Sequence, residues 1–165
     1  MLFRDIGRDI RPDLKSYQKK RDFTKSPEPK KGGKSGEKPI FVVQRHRARS
    51  LHYDFRLEID GVLKSWAVPK GIPKKINEKH LAVLTENHPL SYADFEGEIP
   101  EGEYGGGTVK IVEKGVFENR KSKSMKGCFK EGRIEIWLKG KKLDAPFALI
   151  HFKEKNWLLI KLRKK

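Results

Sequence analysis

The sequence contains a single cysteine, has few acidic residues for its number of basic ones, and has no long apolar run. The single cysteine, Cys128, excludes an internal disulfide bond and a zinc site built from several cysteines, and it is compatible with a reducing compartment. The longest apolar runs, such as 147–150 and 157–160, contain four residues. Such runs are too short for a membrane span or for the hydrophobic segment of a secretory signal peptide.

The shortage of acidic residues gives the chain a strongly basic balance. Its 165 residues, enough for one compact domain with a core, include 38 Lys and Arg against 22 Asp and Glu, for a formal net charge of +16. An excess of this size predicts a polyanionic partner, either nucleic acid or an anionic membrane surface, and says little about the fold.

The basic residues are concentrated in two flanks. Residues 11–38 hold ten Lys and Arg against four acidic residues, and residues 120–165 hold fifteen against four. Residues 81–118 hold two against eight. The pattern predicts a cationic surface beside a site built from carboxylates and histidines, although solvated lysine-rich ends would explain each flank equally well.

The pattern of apolar residues predicts a mainly β fold. We expect a small closed or partly open β-barrel of about eight strands with short flanking helices, one near 14–20, interrupted at Pro12, and one within 120–130 that ends at Gly132. We divide the chain into a basic amino-terminal arm, 1–39, and a β-barrel domain, 40–165. The Pro-, Gly- and Lys-rich residues 26–39 of the arm cannot bury apolar area, and we expect them to be mobile. The predicted strands are 40–45, 51–60, 62–68, 81–86, 108–113, 133–138, 147–152 and 157–162.

The strand at 51–59 alternates strictly between apolar and polar residues. His52, Asp54 and Arg56 share its polar face, and His46 lies six positions before His52, where a connecting loop would return it to the same place. Two histidines and one carboxylate form a ligand set that leaves open positions on a divalent ion. The alternative, which spacing alone favours slightly, is an ordinary polar face of a sheet.

Other candidate residues have structural alternatives, which weigh as much as the functional role for Arg56 and more than it for His88, residues 97–108 and Cys128. Arg56 would grip phosphate oxygens near a metal, or it would form a surface ion pair with Glu58 or Asp60. His88, next to Pro89 at a strand end, would project at the rim of a site or serve only a structural purpose. The glycine-rich residues 97–108 lack the ending of a phosphate-binding loop and are interpreted as a structural turn. Cys128 has no partner that would make it a nucleophile.

Six segments, which follow one another in the family's order along the chain, resemble the 3'-phosphoesterase module of bacterial DNA ligase D. An upstream segment, 21–23 with Glu28, resembles the amino-terminal motif of that module. The polymerase and ligase modules are missing, including their nucleotidyltransferase motif, so the chain resembles a free-standing version. The six segments are FVVQRH at 41–46, SLHYDFRLE at 50–58, LKSWAVPKG at 63–71, ENHPL at 86–90, YADFEG at 92–97 and IPEG at 99–102.

The resemblance implies a manganese-dependent hydrolase of DNA end joining. Such an enzyme removes a 3'-terminal ribonucleoside to leave a 3'-phosphate, and then hydrolyses that phosphate to 3'-OH. Co²⁺ or Zn²⁺ would fit the same site. The resemblance also implies a monomeric cytoplasmic protein that acts on DNA with 3'-ribonucleotide or 3'-phosphate ends, such as primer-templates, beside separate ligase and polymerase repair proteins.

By position, the resemblance also assigns site residues. His46, His52 and Asp54 would hold the metal, and Arg56, His88 and His80 would contact the phosphate. At His80 the family carries an arginine, so the histidine is expected to weaken the phosphate contact or change its pH dependence. The residues that would complete the site are Gln44, Lys70, Glu86 and Tyr92, with Arg21, Asp22 and Glu28 from the arm.

A second function of another class fits the composition. A non-catalytic nucleic-acid-binding barrel would use the basic flanks and aromatic residues such as Tyr53, Trp66 and Tyr92 to hold single strands or junctions. Binding alone does not require metal ligands, so the histidines and the aspartate favour the enzyme.

Overall fold

The computed structural model describes residues 14–164. In it the chain forms two short α-helices, one 3-10 helix and nine β-strands. Pro12 lies outside the described residues. The α-helices are α1 (Lys15–Lys19) and α2 (Met125–Glu131), and the 3-10 helix is Leu90–Asp94. The strands are β1 (Ile40–Arg47), β2 (Leu51–Ile59), β3 (Val62–Val68), β4 (Lys79–Leu84), β5 (Gly97–Ile99), β6 (Gly107–Asn119), β7 (Arg133–Gly140), β8 (Asp144–Lys153) and β9 (Asn156–Lys161).

Eight of the strands close into an antiparallel barrel, which confirms the predicted fold class. Their order is β1-β2-β3-β4-β9-β8-β7-β6, and the pairing of β6 with β1 closes the ring. The long strand β6 makes closure feasible, because Ile40–Arg47 pairs along most of it while its last residues pair with β7. The predicted hairpin at Asp60-Gly61 is present, and both turn residues have positive φ angles of 55° and 84°.

The interpretation of residues 97–108 as a turn was incomplete. Gly97–Ile99 forms strand β5, which lies outside the ring of eight strands and pairs with the first residues of β6. Three residues are too few to show alternation in a sequence. Ile99, which is 2% exposed, anchors this strand against the outer wall of the barrel.

The inside of the barrel is filled by the apolar residues of the alternating strands. From β2 these are Phe55, Leu57 and Ile59, and they pack with Trp66 of β3 and Phe147 of β8. Because successive side chains of a strand point to opposite faces, the polar residues of β2 must lie on the outside of the barrel.

A second apolar cluster covers part of that outer wall. It joins Val42 of β1 and Leu63 of β3 to Tyr17 of α1 and to Leu90 and Tyr92 of the 3-10 helix. Tyr17 is completely buried although its helix has only five residues. The arm and the 3-10 helix therefore form a roof over the polar face of β2.

The predicted helix near residues 120–130 is confirmed as α2. The hydroxyl of Ser124 accepts a hydrogen bond from the backbone N–H of Gly127 at its start. The helix ends at Gly132, as predicted, and this glycine adopts a left-handed conformation with φ of 88°.

Residues 26–39 contain no helix and lie before the first strand. Parts of this segment are nevertheless packed against the rest of the protein. Ser26 and Glu28 are 5% and 4% exposed, and the hydroxyl of Ser35 donates a hydrogen bond to Glu58 of β2. The mobility expected for this segment stays a prediction. Within residues 14–164, no helix has the length and apolar character that a membrane crossing requires.

The closure of the barrel generates a stability prediction. A Cβ on Gly115 of β6 would lie 2.0 Å from the carbonyl oxygen of Lys139, so β6 and β7 approach too closely for any side chain there. We expect Gly115→Ala to lower the free energy of unfolding by about 1–3 kcal/mol. A Cβ on Gly36 would meet nothing within 4 Å, so Gly36→Ala is the control. Urea unfolding measures both variants, and equal stabilities would contradict the close approach.

Candidate metal and phosphate site

Polar side chains of β1 and β2 converge on the outer wall of the barrel. The antiparallel register places Gln44 opposite Asp54 and His46 opposite His52. Cross-strand partners on one face lie close enough to act together. His46 belongs to β1, which extends to Arg47, and the connection of residues 48–50 between β1 and β2 brings it opposite His52, as expected.

His46, His52 and Asp54 form a group that fits a metal ion. One candidate ligand atom from each residue lies within 4.8 Å of the others. The Nδ1 atom of His46 is 3.7 Å from a carboxylate oxygen of Asp54, and the Nε2 atom of His52 is 3.3 Å from the other oxygen. Two nitrogen ligands and one oxygen ligand suit a divalent transition metal and leave positions for water or substrate.

A backbone carbonyl fixes the orientation of the His46 ring. The Nε2 atom of His46 is 2.6 Å from the carbonyl oxygen of Gly105. Because a carbonyl oxygen only accepts hydrogen bonds, Nε2 carries the proton and Nδ1 presents its lone pair towards Asp54. The glycine-rich segment predicted only as a turn therefore also holds a candidate metal ligand in the tautomer that a metal needs.

Arg56 is the cation nearest the carboxylate of this group. Its guanidinium lies 3.4 Å from Asp54, and its side chain is buried. Burial alone would raise the pKa of Asp54, but the charge of Arg56 and the contacts of the two histidine rings outweigh it and hold that pKa far below its usual range. Asp54 is therefore ionised at neutral pH. The alternative of a surface ion pair between Arg56 and Glu58 or Asp60 is wrong, because the buried guanidinium of Arg56 contacts Asp54.

Gln44 holds Arg56 from the opposite side. The Nε atom of Arg56 donates to the amide oxygen of Gln44 at 2.6 Å. The amide nitrogen of Gln44 donates to the carbonyl oxygens of Tyr92 and Phe95 at 2.8 and 3.0 Å, which fixes which end of the amide faces Arg56. Gln44 has no exposed surface, so it positions Arg56 and does not face a substrate.

The arm closes one side of the site through a buried network of charges. Arg21 donates to Glu28 at 3.0 Å and to Glu86 at 3.1 Å. The hydroxyl of Tyr92 donates to the second oxygen of Glu28 at 2.7 Å. The ring of Tyr92 lies 4.7 Å below the guanidinium of Arg56. The network thus links the arm to the residues that hold Arg56.

His88 is buried beside this network and does not project at a rim. Its backbone pairs with Leu63, and its Nδ1 atom lies 3.0 Å from the carbonyl oxygen of Glu86. Nδ1 therefore carries a proton. Burial first, and then the charges of Arg56 and Arg21, lower the pKa of His88 well below its usual value. At neutral pH the imidazole is neutral, with its proton on Nδ1 and the lone pair of Nε2 free to accept a hydrogen bond.

These groups line one cavity of about 290 Å³. It brings together most of the residues predicted for the site, and it adds Tyr104, which the sequence did not indicate. Tyr17, also missed, contacts the ring of His88 at 4.9 Å, but a five-residue polar helix gave no pattern that would reveal it. The predicted residues lining the cavity are Arg21, Glu28, His46, His52, Asp54, Arg56, Glu86, His88 and Tyr92.

Three predicted residues lie elsewhere. Asp22 is exposed and accepts hydrogen bonds from the backbone and hydroxyl of Thr24. His80 bonds through its two ring nitrogens to the carbonyl oxygen of Gly71 and to Glu78. Lys70 lines a separate cavity at one end of the barrel. Their predicted contacts with substrate stay predictions.

Known proteins of one family are similar in sequence to this chain. Residues 44–151 match the family model described as the DNA ligase D 3'-phosphoesterase domain. The chain is 44% identical over 165 residues to "Multifunctional non-homologous end joining protein LigD" of Mycolicibacterium smegmatis, with 96% of this chain and 22% of that protein covered. It is 42% identical to a LigD of Mycobacterium tuberculosis, with 96% and 21% covered, and 43% identical to that of Pseudomonas aeruginosa, with 91% and 18% covered. The chain thus spans about a fifth of the length of these relatives.

The lowered pKa of His88 generates a prediction about stability and pH. Below about pH 6.5 the unfolded chain binds a proton at this histidine and the folded chain does not, so folding stability falls as pH drops. We expect wild type to lose up to about 2 kcal/mol from this source between pH 7 and pH 5. His88→Gln removes that contribution, and its unfolding midpoint in urea should depend less on pH. An unchanged pH dependence would contradict a neutral His88.

The contact between Gly105 and His46 generates a second prediction. Gly105 and Gly102 both have positive φ angles, 76° and 94°, so alanine strains the backbone similarly at each position. Only the Gly105 carbonyl contacts His46. We expect Gly105→Ala to weaken Mn²⁺ binding, measured by calorimetry, by about tenfold or more, with Gly102→Ala close to wild type. Nitrogen NMR shifts of His46 should report the changed tautomer; equal affinities and shifts in the two variants would refute the role of Gly105.

Proposed function

This chain belongs to the DNA ligase D 3'-phosphoesterase domain family, and we propose that it is a metal-dependent hydrolase of DNA 3' ends in non-homologous end joining. It removes a terminal ribonucleoside to leave a 3'-phosphate, and it hydrolyses the 3'-phosphate to 3'-OH. Its partners are primer-template DNA and the ligase and polymerase activities of end-joining repair.

The observation that carries this proposal is one cavity that contains both a metal-ligand group and phosphate-binding groups. His46, His52 and Asp54 lie on the same wall as Arg56, with His88 beside them. A nucleic-acid-binding surface needs cations but has no use for two histidines and a carboxylate arranged around one point. Phosphate-ester hydrolysis uses both features.

Manganese is the metal we propose for the triad. His46, His52 and Asp54 would hold it, and their mixed nitrogen and oxygen atoms also admit Co²⁺ or Zn²⁺. When bound, such an ion lowers the pKa of a coordinated water and offsets charge on phosphate oxygens. The ionised state of Asp54 prepares the group for a cation, since no proton has to leave the carboxylate first.

Arg56 binds the phosphate in this proposal. One of its nitrogen atoms is committed to Gln44 and another approaches Asp54, but a guanidinium has five N–H donors, so donors remain for phosphate oxygens. A guanidinium also stays protonated in proteins, which makes its contribution electrostatic. Lysine at this position keeps the charge and loses the planar fork.

His88 acts on the same phosphate through Nε2. Because Nδ1 is committed to the Glu86 carbonyl, Nε2 donates only when the ring is protonated. A phosphate anion beside His88 favours the protonated ring and opposes the effect of Arg56 and Arg21. Stabilisation of phosphate oxygens and protonation of the leaving 3'-oxygen both require this protonated state. Of the two, we favour stabilisation, because Arg56 already marks this side as an anion site.

A non-catalytic nucleic-acid-binding barrel is the second candidate, favoured by the net charge of +16. Two of the three aromatic residues expected to stack on bases, Trp66 and Tyr92, argue against it. Trp66 has no exposed surface and Tyr92 is 2% exposed, so neither is available to a base. Tyr53 is partly buried.

Duplexes with a labelled recessed strand ending in a 3'-phosphate or a ribonucleotide test the proposal, with Mn²⁺ or EDTA present. We expect loss of phosphate or of the terminal nucleoside only with metal. Asp54→Ala and Asp54→Asn should fold and lose activity about a hundredfold or more, because the group loses its anionic ligand. Asp60→Asn, on the exposed turn at the other end of β2, is the matched control. Full Mn²⁺-dependent activity of an Asp54 variant would overturn the metal assignment.

A further inference from the structure

One end of the barrel opens into a second cavity, of about 520 Å³, which is separate from the metal and phosphate site. It lies where the connection after β3, the turn between β7 and β8 and the end of β9 meet. We call it the lysine-rimmed mouth and define it by Tyr53, Lys70, Ile72, Lys74, Lys142 and Lys161.

The charge of the mouth is almost entirely positive. Lys70, Lys74 and Lys142 are exposed, Lys161 is half-buried, and none of the four forms an ion pair with another described residue. The acidic residue among the described lining residues is Glu113.

The carboxylate of Glu113 does not neutralise these lysines through direct contact. It accepts hydrogen bonds from the backbone N–H groups of residues 114, 141, 142 and 143, at 2.7 to 3.0 Å. Glu113 therefore holds the β7–β8 turn in place. The amino groups of Lys70, Lys74 and Lys142 remain available to an anion from outside, whereas that of Lys161 donates a hydrogen bond to the carbonyl oxygen of Lys74 at 3.0 Å.

The floor of the mouth is apolar. Tyr53 and Ile72 are partly buried there, with Leu143 and the barrel residue Val43, and Val112 is 43% exposed at the edge. An apolar floor with a cationic rim is complementary to a nucleotide, whose base is flat and poorly hydrated on its faces and whose phosphate is anionic. A folded acidic protein surface would not enter a concave cavity of this size.

The mouth and the metal site share one strand. Tyr53 stands between His52 and Asp54 in β2 but faces the inside of the barrel, whereas its two neighbours face the outer wall. Both sites lie towards the end of the barrel where β1 turns into β2. A nucleic-acid strand that passes over this end reaches both.

We propose that the lysine-rimmed mouth binds unpaired nucleotides of the nucleic acid whose 3' end lies at the metal and phosphate site. The base contacts the apolar floor, and the flanking phosphates contact Lys74 and Lys142. This inference rests on the proposed function for the position of the 3' end, but binding at the mouth itself needs no metal.

Two double variants with the same change of charge test the mouth. Lys74→Glu/Lys142→Glu changes its rim, and Lys153→Glu/Lys155→Glu changes the β8–β9 turn at the opposite end of the barrel. The probe is a fluorescein-labelled oligothymidylate in EDTA, followed by anisotropy from 50 to 200 mM salt. We expect the mouth variant to bind about tenfold or more weakly, with a salt slope smaller by about 1.4, since two phosphates are no longer neutralised. Equal losses in the two variants would overturn the proposal.

The apolar floor is tested with an abasic oligomer of the same length. Wild type should prefer the oligothymidylate, and Val112→Trp, which fills the edge of the mouth, should lose this preference. Phe152→Trp, at an exposed residue of β8 near the opposite end, is the control and should keep it. No preference in wild type, or its retention in Val112→Trp, would contradict the contact with the base.

A mononucleotide separates failure of this inference from failure of the proposed function. Thymidine 3'-phosphate has no flanking nucleotide that could occupy the mouth while its phosphate lies at the metal site, so the lysine variants should hydrolyse it as wild type does. If wild type hydrolyses no substrate, the proposed function fails, while the effect of the mouth variant on binding in EDTA still stands. If the mouth variant binds the oligomer as wild type does, the inference fails, whatever the hydrolysis.

Discussion

The contact between Arg56 and Asp54 on the outer wall of the barrel is the interaction on which the rest of the site depends. Both side chains are buried, and an unpaired buried charge would cost several kcal/mol. Contacts with neighbouring groups offset this cost. Gln44 and the ring of Tyr92 contact the guanidinium, and two histidines approach the carboxylate. The group that fits a metal and the group that fits a phosphate are thus two ends of one charged pair.

This arrangement requires a roof. Alternation in β2 sends its polar side chains outward, where they would otherwise be fully solvated. The 3-10 helix supplies two backbone carbonyls that orient Gln44, and the arm supplies Glu28 for Tyr92 and Arg21 for Glu86. In the sequence, the arm looks like a solvated basic tail. In the structure, its residues 17–28 contribute to the wall of the cavity.

Local patterns predicted the parts of the structure that depend on neighbours in the chain. The alternation of 51–59 gave the polar face with His52 and Asp54, and Asp60-Gly61 gave the hairpin. Contacts between distant segments left no local pattern. The carbonyl of Gly105 that orients His46 comes from 59 positions away.

The neutral state of His88 likewise follows from burial beside two arginines, and the remote positions of Lys70 and His80 follow from barrel closure. The family resemblance assigned these residues to one site. The structure places His88 in the cavity with the metal-ligand group, and Lys70 and His80 outside it.

The central claim is that one ion binds between His46, His52 and Asp54 with a phosphate beside it at Arg56. Anomalous diffraction from crystals soaked with Mn²⁺ and sulfate tests it most directly. We expect one strong manganese peak in contact with the Nδ1 atom of His46, the Nε2 atom of His52 and the carboxylate of Asp54, and a sulfate on Arg56. A manganese peak at other residues, or none at a saturating concentration, would contradict it.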